Sequence, residues 1–134
     1  MIKRLLIIAL SCGLCHTSFA QNINESKNDA NSPKIVFNKT VHDFGKVIQY
    51  APAWCEFRFY NRGKSPLIIS DISASCGCTV PSWSKAPVMP GDSGIVQVNY
   101  ATSETGTIDK VVDVFSNATK KPVSLKLIGK VIEK

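Results

Sequence analysis

Hydrophobic and polar residues alternate along most of the chain, in short runs that are separated by turn residues. The clearest run is Ala53–Asn61, in which Cys55, Phe57 and Phe59 would share one face of a strand. A period of two residues is typical of a β-strand with one buried face. Comparable runs predict further strands at 35–37, 43–48, 67–74, 94–100, 107–116 and 123–131.

The turns between these runs favour an all-β domain. About seven short strands separated by glycine- and proline-containing turns are typical of an immunoglobulin-like antiparallel β-sandwich. A β-barrel fits the proline-rich connections less well. The segment after residue 78 contains Pro81, Pro87 and Pro90, and we interpret it as an irregular connection.

Residues 1–20 have the parts of a secretory signal peptide. A charged start precedes an apolar run at 5–14, and Ser18-Phe19-Ala20 has the small-x-small pattern of a cleavage site. We expect cleavage after Ala20 and export to the periplasm or the extracellular space of a Gram-negative bacterium. Lipid attachment at Cys12 or Cys15 is disfavoured, because the residues before each cysteine do not form a good attachment box. The apolar run is also shorter than the about 20 residues that a membrane-spanning helix needs, so we expect no transmembrane segment.

The rest of the chain is long enough for one compact domain. Residues 21–32 are polar and predict a disordered lead-in, so that residues 33–134 form the sandwich. The 16 basic side chains outnumber the 10 acidic ones but are spread along the sequence. The densest basic groups are Arg62-Gly63-Lys64 and Lys120-Lys121. Nucleic-acid binders tend to have a clustered basic face with aromatic or helical readers, so we expect no nucleic-acid partner.

The main candidate chemistry lies in Ser75-Cys76-Gly77-Cys78-Thr79. Extended backbone would place the Cα atoms of Cys76 and Cys78 about 6.6 Å apart, two strand rises, which is the upper limit for a disulfide. Gly77 would allow a bend that brings the sulfur atoms together. Because the ring would be very small, we expect such a disulfide to be strained and oxidising. The reduced pair would instead suit two-coordinate Cu(I), a soft ion that prefers thiolate.

Several uses of the thiols remain open. Cys55, Cys76 and Cys78 are all disulfide candidates, because the strand order places them at the same end of the sandwich. Cys76 and Cys78 are also candidate metal ligands, with Cys55 as a possible third. Zinc would need a fourth ligand from His42 or a second chain. Cys55 could instead be a small apolar core residue. The Cys76–Cys78 pair could instead have a structural role at a strand end.

Several short motifs follow one another along the chain. They are Asp43-Phe44-Gly45, Phe57-x-Phe59-x-Asn61-x-Gly63, Pro66-Leu67, the cysteine string at 75–79, Pro90-Gly91, Ser116-Asn117 and Leu125-x-Leu127-x-Gly129-x-Val131. Their order resembles a bacterial exported family called domain of unknown function 1573. The resemblance covers roughly residues 34–132, and Cys55 lies outside its motifs. It implies an immunoglobulin-like fold, akin to sandwich modules of large assemblies, and brings no assigned reaction.

The sequence lacks the motifs of common enzymes: a nucleophile with its base and orienting group, a phosphate loop, or paired carboxylates. We therefore expect a non-enzymatic binding module without a cofactor. Its partner would be another protein, contacted through a strand edge or through the segment around Trp83, an aromatic anchor. The alternative is a thiol-dependent function of Cys76 and Cys78, either binding of Cu(I) or another soft metal or thiol–disulfide exchange.

Overall fold

The computed structural model describes residues 30–134. The expected signal peptide with its cleavage after Ala20, the cysteines Cys12 and Cys15, and most of the expected lead-in lie outside the described residues. Within residues 30–134 we find no helix that could cross a membrane. The predicted all-β class is confirmed, with eight strands: β1 Ile35–Phe37, β2 Val41–Ile48, β3 Ala53–Asn61, β4 Ile69–Ala74, β5 Thr79–Trp83, β6 Ser93–Tyr100, β7 Gly106–Ser116 and β8 Val123–Ile132.

The strands form two four-stranded sheets that pack face to face. Sheet A has the order β1-β3-β6-β5, and sheet B has the order β2-β8-β7-β4. Every pair is antiparallel except β2 with β8, which run parallel. The expectation of a wholly antiparallel sandwich is therefore corrected at this one pair. Alternating hydrophobicity marks a strand, but it does not determine the direction in which the neighbouring strand runs.

The core lies between the two sheets and is made by the inward positions that the alternation predicts. A slip of one residue in any of these strands would turn its apolar side chains to solvent, so burial also fixes the register. Burying one such side chain contributes about 1.5–3 kcal/mol. The side chains with no exposed surface include Phe57, Leu67, Val96, Val98, Val112, Val114, Leu125 and Leu127.

The segment after Cys78 contains a strand that the sequence reasoning missed. Thr79–Trp83 pairs antiparallel with β6. The backbone N–H of Ala101 donates to the carbonyl of Cys78 at 2.8 Å. Hydrogen-bonded positions alternate along an antiparallel pair, so Pro81 faces the free edge of β5, where the missing N–H of proline breaks no bond of the sheet. The irregular connection therefore begins only after Trp83.

A buried asparagine organises the end of the sandwich that lies away from the cysteine loop. Asn61 has no exposed surface. Its Nδ2 donates to the carbonyls of Ser65 at 2.7 Å and Val88 at 2.9 Å. Its Oδ1 accepts from the backbone N–H of Gly63 at 2.9 Å and of Lys34 at 3.3 Å. These four bonds tie the turn after β3 to the segment that precedes β1 and to the segment that precedes β6.

Candidate functional site at the disulfide end of the sandwich

The Cys76-Gly77-Cys78 loop carries the chain from β4 in sheet B to β5 in sheet A. The sulfur atoms of Cys76 and Cys78 are bonded as a disulfide, and their Cα atoms lie 5.3 Å apart, inside the usual range for disulfides. The N–H of Thr79 donates to the carbonyl of Cys76 at 3.3 Å, which closes a turn around the bond. Together with the bond from Ala101 to Cys78, this turn fixes the loop to the end of β6.

Gly77 is not held in a left-handed conformation, since it is absent from the glycines with positive φ. A Cβ built on Gly77 would meet no atom within 4 Å. The bend that joins the two sulfur atoms therefore needs no backbone angle reserved for glycine. This differs from the expectation drawn from the sequence.

A buried hydroxyl lies beside both sulfur atoms. Thr79 is 3 % exposed, and its Oγ1 is 3.7 Å from Sγ of Cys76 and 3.9 Å from Sγ of Cys78. Both cysteines are half-buried, so one side of the disulfide is open to solvent. If the bond opened, the Thr79 hydroxyl could donate a hydrogen bond to either thiolate, and such a bond favours the charged form.

Cys55 is not brought together with this pair. It lies in β3 opposite Val98, and Val98 lies opposite Pro81. Two strand spacings, about 9.6 Å, therefore separate Cys55 from Pro81, and the pair lies still further along. Cysteines with Cα atoms more than about 7 Å apart cannot be bridged without backbone movement. Cys55 is 3 % exposed in the core cluster, and desolvation by burial raises the pKa of its thiol to about 11.

The described residues do not form a multi-ligand metal site. Among residues 30–134 there is no group of three or more His, Cys, Asp or Glu side chains that could hold a metal ion. His42 lies in β2, with Nδ1 2.9 Å from Nζ of Lys39 and its ring edge-on to Phe44. Desolvation by burial, followed by the charge of Lys39, lowers the pKa of His42. His42 thus contacts Lys39 and Phe44, while Cys76 and Cys78 are bonded to each other in the disulfide.

Trp83 is not the exposed anchor that the sequence suggested. The alternation along β5 turns Thr79 inward, and Trp83, which has the same parity, packs partly buried against the core. Its Nε1 is buried and has no hydrogen-bond partner within the described part of the chain. The prolines around Trp83 suggested an exposed loop, because proline is uncommon in strands and β5 was therefore not predicted.

Large apolar side chains lie exposed elsewhere, around the disulfide loop. Trp54 is 55 % exposed and Val80 is 58 % exposed. Both lie on the outer face of sheet A opposite Asn99, one on each side of it. Their Cα atoms are therefore two strand spacings apart, about 9.6 Å. Sequence reasoning missed them because it treated outward positions as solvated. The signal that could have found them was a large apolar residue at an outward position of each strand.

Tyr50 extends this surface into the turn before β3. It is 73 % exposed and has φ 65°, a left-handed conformation that costs a non-glycine residue about 1–2 kcal/mol. Its N–H donates to the carbonyl of Thr102 at 3.1 Å, and Oγ1 of Thr102 donates to the carbonyl of Ala51 at 2.6 Å. We call Tyr50, Trp54, Val80 and the Cys76–Cys78 loop the thiol end.

The free strand edges are all interrupted. β1 has only three residues, and Pro81 removes a donor from the edge of β5. The register of β2 shifts between Asp43 and Lys46, and that of β4 shifts between Ile69 and Asp71. Short, bulged or proline-containing edges resist the addition of another strand. Addition of a further strand along these edges is therefore disfavoured.

Comparison with known proteins supports the fold assignment. A family model described as "Protein of unknown function (DUF1573)" matches residues 35–131. No curated protein sequence matches the chain. A protein of unknown function from Porphyromonas gingivalis is similar in structure, with TM-score 0.68 and 13% identity over 80% of this chain and 51% of its own. The chain therefore spans about half the length of that protein.

Two further solved structures have related folds. The ASH / PapD-like domain 7 of human CEP192 has TM-score 0.67 and 12% identity, over 86% of this chain and 96% of that domain. The secreted serine protease VesC from Vibrio cholerae has TM-score 0.56 and 14% identity, over 77% of this chain but only 24% of the protease. At these identities the likeness concerns the fold alone. It confirms an immunoglobulin-like β-sandwich fold.

Proposed function

Because the chain belongs to the DUF1573 family, whose function is unknown, we propose a function from the geometry of its thiol end. The protein is an exported, non-enzymatic interaction module that binds another protein through Tyr50, Trp54 and Val80. The partner lies across the outer face of sheet A and reaches the disulfide loop. The likeness to a PapD-like domain is compatible with this role.

The observation that carries the proposal is the exposure of three large side chains, Tyr50, Trp54 and Val80, at one end of the sandwich. Aromatic residues dominate the energetics of protein interfaces, and tryptophan and tyrosine are enriched among the residues whose loss weakens binding most. Tyr50 lies at the same end of the sandwich, and its left-handed conformation belongs to a turn in which the N–H of Ala51 donates to the carbonyl of Ile48 at 3.0 Å.

Site-specific photo-crosslinking in the bacterium that encodes the protein tests this function. A crosslinking residue at position 54 samples the proposed surface. The same residue at position 115 is the matched control, because Phe115 is 37 % exposed in β7 of the opposite sheet. We expect a discrete crosslinked protein from position 54 only, and its loss when Tyr50 and Val80 are replaced by serine. Equal crosslinking from both positions, or none from position 54, would refute the proposal.

A second candidate function is thiol–disulfide exchange, favoured by the half-exposed disulfide with the Thr79 hydroxyl beside both sulfur atoms. A thiolate of a partner protein attacks one sulfur atom, the bond between Cys76 and Cys78 breaks, and a mixed disulfide forms. The other sulfur atom leaves as a thiolate that accepts a hydrogen bond from Thr79. A second thiol of the partner then displaces the mixed disulfide, so the partner is oxidised and the pair gains two electrons.

Equilibration with defined ratios of reduced and oxidised glutathione tests this second function. Alkylation and intact mass would report how much of the pair is reduced at each ratio. We expect the Thr79→Val variant to shift the equilibrium toward the disulfide, because the thiolate loses its hydrogen-bond donor. A Cys55→Ala variant is the control and should behave as the wild type. No reduction at any ratio would exclude exchange, whereas native mass spectrometry of the reduced protein with Cu(I) would test the soft-metal alternative.

A further inference from the structure

A basic pocket of about 410 Å³ opens at the end of the sandwich that lies away from the disulfide. Its lining within residues 30–134 includes Lys34, Arg62 and Lys64, all of which are exposed, and no carboxylate among these residues. Ala118, in the turn between β7 and β8, forms part of the wall. We call this region the basic end.

The backbone around the pocket is held firmly in place. The N–H of Arg62 donates to the carbonyl of Lys34 at 2.8 Å, and the N–H of Lys64 donates to the carbonyl of Ser32 at 3.1 Å. A Cβ on Gly63 would lie 2.3 Å from the carbonyl oxygen of Ser32, so the two segments can approach this closely only at a glycine. With the bonds of Asn61 to both segments, the three cations keep a fixed spacing at their Cα atoms.

The cations of the pocket have no acidic partner within the described residues. Within residues 30–134 an ion pair joins Lys126 to Asp109 at 3.3 Å, and both residues lie in sheet B and not in the pocket lining. The turn that supplies Ala118 also carries Lys120 and Lys121, so the fold brings together the two densest basic groups of the sequence. The nearby acidic residue is Asp92, whose backbone carbonyl accepts a hydrogen bond from the N–H of Asn61. Asp92 lines a different pocket.

From this convergence we propose that the basic end binds a phosphate group through Lys34, Arg62 and Lys64. The backbone N–H groups of Arg62, Gly63 and Lys64 already have acceptors, so recognition depends on side-chain charge. That favours a phosphate with two or more negative charges over a single carboxylate. The guanidinium of Arg62 lies over the ring of Tyr60 at 4.7 Å, which restrains a group that can contact two phosphate oxygens at once.

The phosphate could be free in solution or part of a lipid headgroup, and two probes separate these sources. Isothermal titration with inorganic tripolyphosphate at low salt measures the first. Cosedimentation with vesicles of phosphatidylcholine containing phosphatidic acid, whose phosphomonoester can lose a second proton as a phosphodiester cannot, measures the second. Because the site is exposed, we expect binding to weaken steeply as added salt shortens the screening length to about 10 Å at 0.1 M.

Charge-matched variants decide whether the pocket is responsible. The triple variant Lys34→Gln, Arg62→Gln, Lys64→Gln should lower the affinity about thirtyfold, roughly threefold for each exposed charge. The control replaces the same number of positive charges on exposed lysines away from the pocket with glutamine, at Lys46, Lys130 and Lys134, and should lower it about twofold.

Binding to tripolyphosphate, to the vesicles or to both supports the site if the pocket variant alone loses it, and the pattern identifies the source. Equal losses in the two triple variants would overturn the proposal, because general attraction to a basic protein would explain them. Absence of binding to both probes by the wild type would also overturn it. All substituted side chains are exposed, so unfolding is not expected to interfere; circular dichroism of each variant checks this.

Discussion

Opening the Cys76–Cys78 disulfide should destabilise the domain only slightly. The bond closes a loop of residues with a sequence separation of 2. For a loop of three residues, the loss of chain entropy in the unfolded state corresponds to about 1.6 kcal/mol at 25 °C, against about 4.7 kcal/mol for a loop of 100 residues. The core of the sandwich does not depend on the bond, because neither cysteine belongs to the buried cluster.

Urea denaturation followed by tryptophan fluorescence, with and without a reductant, measures this difference. We expect the reduced wild type and the Cys76→Ser, Cys78→Ser variant each to lose about 1.6 kcal/mol or less, which corresponds to a melting temperature lower by about 6–13 °C. The Cys55→Ala variant keeps the disulfide and should remain sensitive to the reductant to the same extent. The buried Cys55 thiol, with its pKa raised to about 11, should not react with iodoacetamide in the folded protein.

A loss of more than about 3 kcal/mol, or a reduced chain that does not fold, would refute this reasoning, because it approaches the cost of removing a structural disulfide. The loop would then be a structural staple. A small loss instead means that the pair can open while the sandwich stays folded. Thiol exchange and binding of a soft metal both require that property.

Three other changes have defined outcomes in urea denaturation followed by far-ultraviolet circular dichroism, which does not depend on Trp83. Trp83→Phe should leave the stability unchanged or raise it, because it removes a buried N–H without a partner, whereas Trp83→Ala should cost about 2–3 kcal/mol; a large cost for the phenylalanine would reveal an acceptor for Nε1. Gly129→Ala should cost about 1–3 kcal/mol, since φ is +149° and the new Cβ would lie 2.9 Å from a carbonyl oxygen of β2; Gly77→Ala, the control with open space around it, should cost almost nothing. The lowered pKa of His42 means that the unfolded chain binds the proton more readily, so stability is complete above the ordinary pKa of about 6.5 and falls as the pH drops below it. His42→Gln should remove that decline, and an unchanged pH profile would contradict it.

Much of the fold can be predicted from local patterns in the sequence. The bounds of β3 agree with the predicted run, because nine residues of strict alternation leave one way to bury Cys55, Phe57 and Phe59. β5 was not predicted because a proline such as Pro81 normally indicates the end of a strand. The strand accepts Pro81 only because β5 lies at the edge of its sheet. The parallel pairing of β2 with β8 also depends on the topology of the whole chain.

The candidate functional surfaces could be predicted less well, because they depend on distances between residues far apart in sequence. Cys55 could be separated from the Cys76–Cys78 pair only once the strand order was known. Likewise, Arg62 and Lys120 are remote in the chain, and they share one end of the sandwich only because a turn of each sheet lies there. The exposure of Trp54 depends on the surroundings of the outer face of sheet A, which alternation cannot reveal.

The parallel pairing of β2 with β8 has a mechanical consequence. β2 is entered near the basic end, and β8 leaves at the thiol end, with Val41 beside Lys126 and Ile48 beside Ile132. A force that pulls the two ends of the domain apart would therefore slide these strands past each other along their length. All the hydrogen bonds between them would share the load at once, instead of opening one after another as in an unzipped hairpin. The pairing thus resists such a force in shear along the whole length of the two strands.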